Sequence, residues 1–137
     1  MGQRASAFTI AVAVPLALGA IAFGQTTRTV RDGVYRDEQA KRGKTVYDTK
    51  CGSCHDGSSM GPQLKDQAYL DEWENKSVRA FYSRILSTMP ENDPGSLKEH
   101  EVLDVIAYVL QAQGFPAGSK ALESASELDT VMFVRSK

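Results

Sequence analysis

The pentapeptide Cys51-Gly52-Ser53-Cys54-His55 constrains this chain more than any other part of its sequence. Two thiols separated by two residues can each form a thioether with one vinyl group of a haem. A histidine directly after the second cysteine can then bind the iron through an imidazole nitrogen. The motif therefore predicts haem c as a covalent cofactor, with Cys51 and Cys54 as attachment residues and His55 as an axial ligand. A fold that carries this group must surround a large flat ring.

Other uses of a C-x-x-C pair fit the sequence less well. A thioredoxin-like redox pair requires a preceding strand within a βαβ pattern, and the sequence shows neither. A structural zinc site requires four ligands, whereas Cys51 and Cys54 are the two cysteines of the chain and His100 is its other histidine. A disulfide between the two cysteines stays open as an alternative, although it would close a very short loop and stabilise the fold little.

An apolar segment from Ala7 to Phe23, preceded by Arg4, has the pattern of a secretory signal peptide. Small residues permit cleavage after Ala22 or after Gly24, and we expect the cut after Gly24. An uncleaved membrane anchor is the alternative, because an apolar segment of this length is at the short limit of what spans a bilayer. The segment thus predicts export, with or without release from the membrane.

The remaining chain is long enough for one small domain. We divide the sequence into a signal peptide at 1–24, an extended lead-in at 25–36, a haem domain at 37–113 and a C-terminal extension at 114–137. The full chain has 16 Lys and Arg residues against 17 Asp and Glu residues. This balance offers no excess of positive charge for binding nucleic acid.

Helical periodicity is clearest around the cysteine motif. Asp37 can cap a helix whose inward positions are spaced by three or four residues, at Ala40, Gly43, Tyr47, Cys51 and Cys54. This spacing predicts one helix that carries both thiols on a single face. Because glycine inside a helix costs about 1 kcal/mol relative to alanine, we expect another helix to approach closely at Gly43.

Two further helices follow a loop at 56–73 that contains at most a short helical turn. Ser77 can cap the first of them, which ends before Met89-Pro90. Ser96 and Glu99 form a capping box for the second, and Gly114 closes it. The apolar run at 131–134 is expected to pack on the domain as a short extended segment, with docking of a partner as the alternative.

Taken in order, these features resemble the small class I bacterial cytochromes c over roughly Tyr35 to Gln113. The resemblance rests on Ala40-x-x-Gly43-x-x-x-Tyr47 before the cysteine motif, Gly61-Pro62-Gln63-Leu64 after it, Met89-Pro90 at a helix end, and Ala107-Tyr108-Val109 in the last helix. It implies an all-α cytochrome c fold, in which about three to four main helices and their loops surround one covalently bound haem c.

The resemblance also implies roles for particular residues. The carbonyl of Pro62 accepts the Nδ1 proton of His55, and Met89 is the second axial ligand of the iron. Met89 follows His55 by 34 residues, which is far enough for the chain to reach the other haem face. Met60 is expected to be a packing residue, and His100 is expected to face solvent.

Gly43 and Tyr47 are expected to meet Tyr108 where the first and last helices cross. An aromatic set in the middle of the chain is expected to pack against the core and the haem. Its members are Tyr69, Trp73, Phe81 and Tyr82.

The function implied is the transfer of single electrons between periplasmic redox partners, without catalytic turnover of its own. The partners expected are a dehydrogenase, an oxidase or a quinol-oxidising complex. The alternative is a dedicated cytochrome subunit of such a complex, with the extension from Phe115 as its interface. Family members receive their haem outside the plasma membrane, so we expect a periplasmic protein, or one anchored in the membrane and facing the periplasm if the N-terminal segment stays uncleaved.

Overall fold

The structure is a computed structural model that describes residues 1–2 and 26–135. The predicted signal segment and both of its cleavage sites lie outside the described residues. Among the described residues, no helix combines the length and the apolar character needed to cross a bilayer.

The described chain is mainly helical. In chain order its elements are β1 (Arg28–Thr29), α1 (Asp37–Lys50), α2 (Gly52–His55), α3 (Gln67–Asp71), α4 (Val78–Thr88), α5 (Glu99–Ala112), a 3₁₀ helix (Ala125–Thr130) and β2 (Val131–Met132). The loop expected at 56–73 is confirmed, with α3 as its one short helix in this stretch.

Helices α1 and α5 cross closely and form the centre of the domain. Gly43 is buried in α1, and a Cβ atom built on it would overlap the backbone of Asp104 in α5. The rings of Tyr47 and Tyr108 meet edge to face, with 5.0 Å between their centroids. The predicted close approach at Gly43 is therefore confirmed, and its partner is the backbone of Asp104, one helical turn before Tyr108.

The prediction of one continuous helix through both cysteines is wrong. Helix α1 ends at Lys50, because Cys51 adopts φ −123° and ψ −41°, outside the helical region, and the short helix α2 then begins at Gly52. The start also differs slightly: Arg36 is the N-cap, and Asp37 lies in the first turn, where a carboxylate interacts favourably with the helix dipole.

The caps of α4 and α5 differ in how well the sequence predicted them. The Ser77 hydroxyl accepts a hydrogen bond from the backbone amide of Ala80 at 3.3 Å, which confirms the predicted cap of α4. The prediction of a capping box at Ser96 and Glu99 is wrong. Helix α5 begins two residues later, where the Glu101 carboxylate accepts a hydrogen bond from the backbone amide of Lys98 at 2.8 Å.

The C-terminal segment packs against the start of the domain. Strand β2 pairs in parallel with β1, with Arg28 opposite Val131 and Thr29 opposite Met132. The extended segment predicted at 131–134 is thereby confirmed. The apolar side chains of this segment and of the chain before it are buried in the common core: Phe115, Leu122, Leu128, Val131 and Phe133.

Two polar contacts fasten the same segment over long sequence distances. The buried side chain of Gln39 donates to the carbonyl of Leu122 and accepts from its amide, both at 2.9 Å. The hydroxyl of Tyr35 donates to the carbonyl of Phe115 at 2.6 Å. Residues 115–133 thus form part of the same folded unit as the helices.

Most of the predicted aromatic set forms a cluster, which Phe133 joins from the C-terminal segment. The Trp73 and Phe81 rings are 4.8 Å apart, and the Phe81 and Phe133 rings are 5.6 Å apart. Tyr82 is buried outside these ring contacts, with the Arg79 guanidinium 5.3 Å from the centre of its ring.

Candidate haem site

A cleft of about 750 Å³ opens beside α2 and the end of α4. Its lining includes all five residues that the sequence singled out for the cofactor: Cys51, Cys54, His55, Pro62 and Met89. A second cavity of about 350 Å³ shares His55, Pro62 and Met89 with this cleft and extends to Trp73 and Phe81. The fold thus collects residues that are distant in sequence around one space.

Both cysteines lie at the edge of this cleft as free, half-buried thiols. Cys51 follows the end of α1, and Cys54 lies within α2. Burial raises the pKa of the Cys51 thiol to about 11, so this group is uncharged near neutral pH. Both thiols are thus unpaired and partly accessible beside the cleft.

His55 is held in one orientation by a backbone acceptor. The residue is 8% exposed, and its Nδ1 atom lies 2.7 Å from the carbonyl oxygen of Pro62. Because that oxygen can only accept, Nδ1 is the nitrogen that carries the proton, and Nε2 is left as a lone-pair donor for a metal. The backbone of Gly61 lies flat against the same ring, since a Cβ there would come 2.9 Å from Nδ1.

Met89 is the C-cap residue of α4, and its half-buried side chain lines both cavities. The other sulfur and imidazole candidates are placed differently. Met60 lies on the rim of the cleft and is 66% exposed, and His100 is exposed to solvent. Met132 belongs to strand β2. Among the described methionines, Met89 therefore has the placement that suits a ligand best.

A polar cluster at the C-terminal end of α2 was not found from the sequence. The Asp56 carboxylate accepts a hydrogen bond from the Tyr47 hydroxyl at 3.0 Å and forms an ion pair with the Lys65 ammonium at 2.6 Å. The Lys65 contact, followed by the Tyr47 hydroxyl, holds the pKa of Asp56 below its usual range. No local spacing links these residues, so only the folded chain brings them together.

Two cations line the second cavity, and sequence reasoning also missed them. Lys76 lies over the Trp73 ring at 5.0 Å from its centroid, and Arg84 projects from α4. Within the described part of the chain, neither has a carboxylate at ion-pair distance. The sequence held one signal for Arg84. It is next to Ile85, which lies one helical turn before Met89 and therefore on the side of α4 that carries the predicted ligand.

No alternative metal site competes with this cleft in the described chain. The structure brings no group of three or more His, Cys, Asp or Glu side chains together within residues 1–2 and 26–135.

Comparison with known proteins agrees with this geometry. The family described as cytochrome c oxidase, cbb3-type, subunit III matches residues 38–109, more than half of the chain. The chain belongs to this family. No curated protein and no solved structure matches the chain.

Membership confirms several predictions at the level of the family. The protein is a c-type cytochrome with the all-α cytochrome c fold, and this domain binds haem c covalently and takes part in electron transfer. The residues of this cytochrome fit the group: two half-buried thiols, an imidazole fixed through Nδ1 and a thioether line one cleft. The roles of the individual residues stay predictions.

Proposed function

We propose that this cytochrome, a class I monohaem type, carries single electrons between redox proteins through one haem c. Cys51 and Cys54 would hold the haem by thioethers, and His55 and Met89 would be its axial ligands. The observation that supports this assignment most is the contact of His55 Nδ1 with the Pro62 carbonyl, made on a cleft that Met89 also lines.

When bound, the haem supplies a reversible one-electron couple between ferric and ferrous iron. The residues of the chain determine how that couple behaves. The Pro62 carbonyl makes the His55 ring a stronger donor by accepting its Nδ1 proton, whereas a thioether such as that of Met89 favours the ferrous state. With His55 and Met89 both as ligands, the iron would have no position left for a substrate, so we propose no catalytic turnover.

We further propose a periplasmic location, with residues 1–24 removed as a signal peptide or retained as an anchor. Residues 37–113 would form the haem domain, with the described residues of the lead-in and of the extension, 26–36 and 114–135, packed on it. Support for this packing is the pairing of β1 with β2 and the burial of Phe133 against Phe81. The partners proposed are a dehydrogenase, an oxidase or a quinol-oxidising complex, with no role in nucleic-acid binding.

A second candidate, a dedicated subunit of an oxidase complex, is favoured by the description of the matching family. An interface of that kind would have to use residues other than the buried apolar ones of the extension. Phe115, Leu122 and Phe133 are buried in the domain's own core and cannot meet a partner without unfolding it. Native size-exclusion chromatography separates the two candidates: a monomer supports a diffusing carrier, and stoichiometric co-elution supports a subunit.

The ligand assignment is tested by Met89→Ala, with Met60→Ala as the matched control. In exported protein the pyridine haemochrome spectrum should show haem c in both variants. Met89→Ala should lose the low-spin His/Met spectrum and have a reduction potential well below that of the unmodified protein, whereas Met60→Ala should change neither. A Met89→Ala protein with unchanged spectrum and potential contradicts the assignment.

A further inference from the structure

The cluster of Tyr47, Asp56 and Lys65, called the Asp56 cluster below, has a place in the fold that suggests more than stabilisation. Asp56 directly follows His55, so its carboxylate is anchored next to the predicted iron ligand. It binds the Tyr47 hydroxyl at 3.0 Å and the Lys65 ammonium at 2.6 Å. The Lys65 ammonium also lies 5.1 Å from the centre of the Tyr47 ring, so each member contacts both others.

The cluster joins three separate segments of the chain. Tyr47 comes from α1, Asp56 caps α2, and Lys65 ends the loop that carries Pro62. Tyr47 is fully buried and fixed by its edge contact with Tyr108, and its hydroxyl is also 3.4 Å from the carbonyl of His55. The buried end of the cluster therefore belongs to the rigid crossing of α1 and α5.

The first half of the loop between Asp56 and Lys65 has few side chains that could hold it in place. Its residues 57–61 are glycine, serine and methionine, and the methionine, Met60, is exposed. Two contacts tie its first part to α2 and to itself: the Ser58 hydroxyl to the Cys54 carbonyl at 2.6 Å, and the Gly57 amide to the Gln63 side chain at 2.7 Å. Beyond Pro62, the ion pair of Lys65 returns the loop to the residue after His55.

The same loop thus has one connection to the imidazole of His55 and one to the next residue, Asp56. One is the hydrogen bond from Nδ1 to Pro62, and the other is the Asp56–Lys65 ion pair three residues further along. Leu64 also anchors this loop, since its side chain is buried and its carbonyl accepts a hydrogen bond from the Gln113 side chain at 3.2 Å. If the ion pair is removed, these contacts stay, but the Pro62 carbonyl loses one constraint on its distance from Nδ1. Hydrogen bonds of this kind set the orientation and the basicity of a metal-binding histidine.

We propose that Asp56 and Lys65, braced by Tyr47, are positioning residues that hold the Pro62 carbonyl against His55 and so tune the reduction potential. The inference rests on the proposed binding of iron by His55. The cluster carries a compensated pair of charges, so its effect on the haem acts through the position of the loop, with little contribution from net charge.

The test is the double variant Asp56→Asn with Lys65→Met, which removes the ion pair and leaves the net charge unchanged. The matched control is Glu74→Gln with Arg135→Met, because Glu74 and Arg135 form a partly exposed ion pair of 2.8 Å outside the loop, and this double change also leaves the net charge unaltered. Two quantities are measured on haem-loaded protein. The first is the solvent-exchange rate of the His55 Nδ1 proton, followed by NMR in the reduced state, and the second is the reduction potential.

The double variant should exchange this proton about fivefold faster, as expected for the loss of a partly exposed ion pair, and its potential should rise. The control should change neither quantity. Restoring the cation as Lys65→Arg, with Asp56 intact, should return both values to those of the unmodified protein. A double variant with low-spin His/Met haem, unchanged exchange and unchanged potential overturns the proposal.

If the double variant fails to fold, the same exchange rate is measured on Tyr47→Phe. This variant keeps the ring contact with Tyr108 and removes only the hydroxyl. Faster exchange in this variant supports the proposal, and unchanged exchange overturns it. Failure of the proposed function is a separate outcome, because the unmodified protein would then lack a low-spin His/Met spectrum.

Discussion

Gly43 of α1 lies directly against the backbone of Asp104 of α5: a Cβ atom on Gly43 would be 1.8 Å from the Asp104 carbonyl oxygen and 2.3 Å from its carbonyl carbon. Real Cβ atoms do not approach backbone this closely. Because backbone cannot yield as a flexible side chain can, this contact sets the distance between the two helices. It also sets the distance at which Tyr47 and Tyr108 meet.

Gly43→Ala tests this contact, and two effects of opposite sign compete. Helix propensity would stabilise the variant by about 1 kcal/mol. Overlap with Asp104 should destabilise it by about 3 kcal/mol, so we expect a net loss of stability in chemical denaturation. Thr45→Ala, at an exposed site of the same helix, is the control and should have little effect. A Gly43→Ala protein as stable as the control would contradict the packing argument.

Gly61→Ala should disturb the histidine directly. The new methyl group would come 2.8 Å from Cε1 and 2.9 Å from Nδ1 of His55, so either the ring or the loop must move. We expect covalent haem to be retained, the Nδ1 proton to exchange faster and the reduction potential to rise, with about 1 to 2 kcal/mol lost in stability. Ser59→Ala, in the exposed part of the same loop, should leave all of these unchanged.

Arg42→Met should leave a buried carboxylate without its partner. Arg42 makes two hydrogen bonds of 2.9 Å to Asp104, whose side chain is 7% exposed. The Arg42 side chain is 60% exposed, so the loss is smaller than for a fully buried pair, about 2 kcal/mol in chemical denaturation. Lys41→Met, at the exposed neighbouring position, should change stability by far less. Equal effects of the two substitutions would refute a specific role for the ion pair.

Glu101→Gln should weaken the domain in a pH-dependent way. The hydrogen bond from the Lys98 backbone amide, followed by the contact with Lys50, lowers the pKa of the Glu101 carboxyl in the folded state. A lowered pKa stabilises the fold above the ordinary carboxyl pKa, and this contribution is lost as the pH falls through the folded value.

The stability difference between the unmodified protein and Glu101→Gln should therefore be about 1 kcal/mol near pH 7 and shrink towards about pH 3. Denaturation at the two pH values measures it, with Glu123→Gln at an exposed site as the control. A difference that stays constant across this range would argue against the capping interaction.

Phe133→Ala tests whether the C-terminal segment belongs to the folded domain. Phe133 is 1% exposed and contacts both Phe81 and Trp73. Its removal should cost about 4 kcal/mol of stability, as for other large residues removed from a core. Arg135→Ala breaks only the exposed pair with Glu74 and should cost about 0.5 kcal/mol. A Phe133→Ala protein of normal stability would mean that the segment is dispensable for folding.

The sequence predicted those features that depend on residues close together in the chain. The thiol spacing and the cap at Ser77 are of this kind. The periodicity through Tyr47 to Cys54 also predicted the right face of α1, but it could not show the break at Cys51, because α2 resumes with nearly the same phase.

The capping error at α5 has a similar cause. Ser96 and Glu99 match the capping pattern in sequence, whereas the observed N-cap, Lys98, does not, and burial decides between the two positions. Leu97 and Val102 are both buried, and with Lys98 as N-cap they occupy the two positions of a hydrophobic staple. Contacts over long separations, such as Gln39 with Leu122 and Asp56 with Lys65, leave no periodic pattern and could not be predicted.

The parallel pairing of β1 with β2 has a consequence for how this chain folds as it is made. Arg28 and Thr29 are synthesised early, and their hydrogen-bonding partners, Val131 and Met132, follow only after every helix has been completed. The aromatic cluster of Trp73 and Phe81 likewise cannot be completed before Phe133 has been synthesised. The core therefore closes in a late, cooperative step that joins segments from the two ends of the described domain.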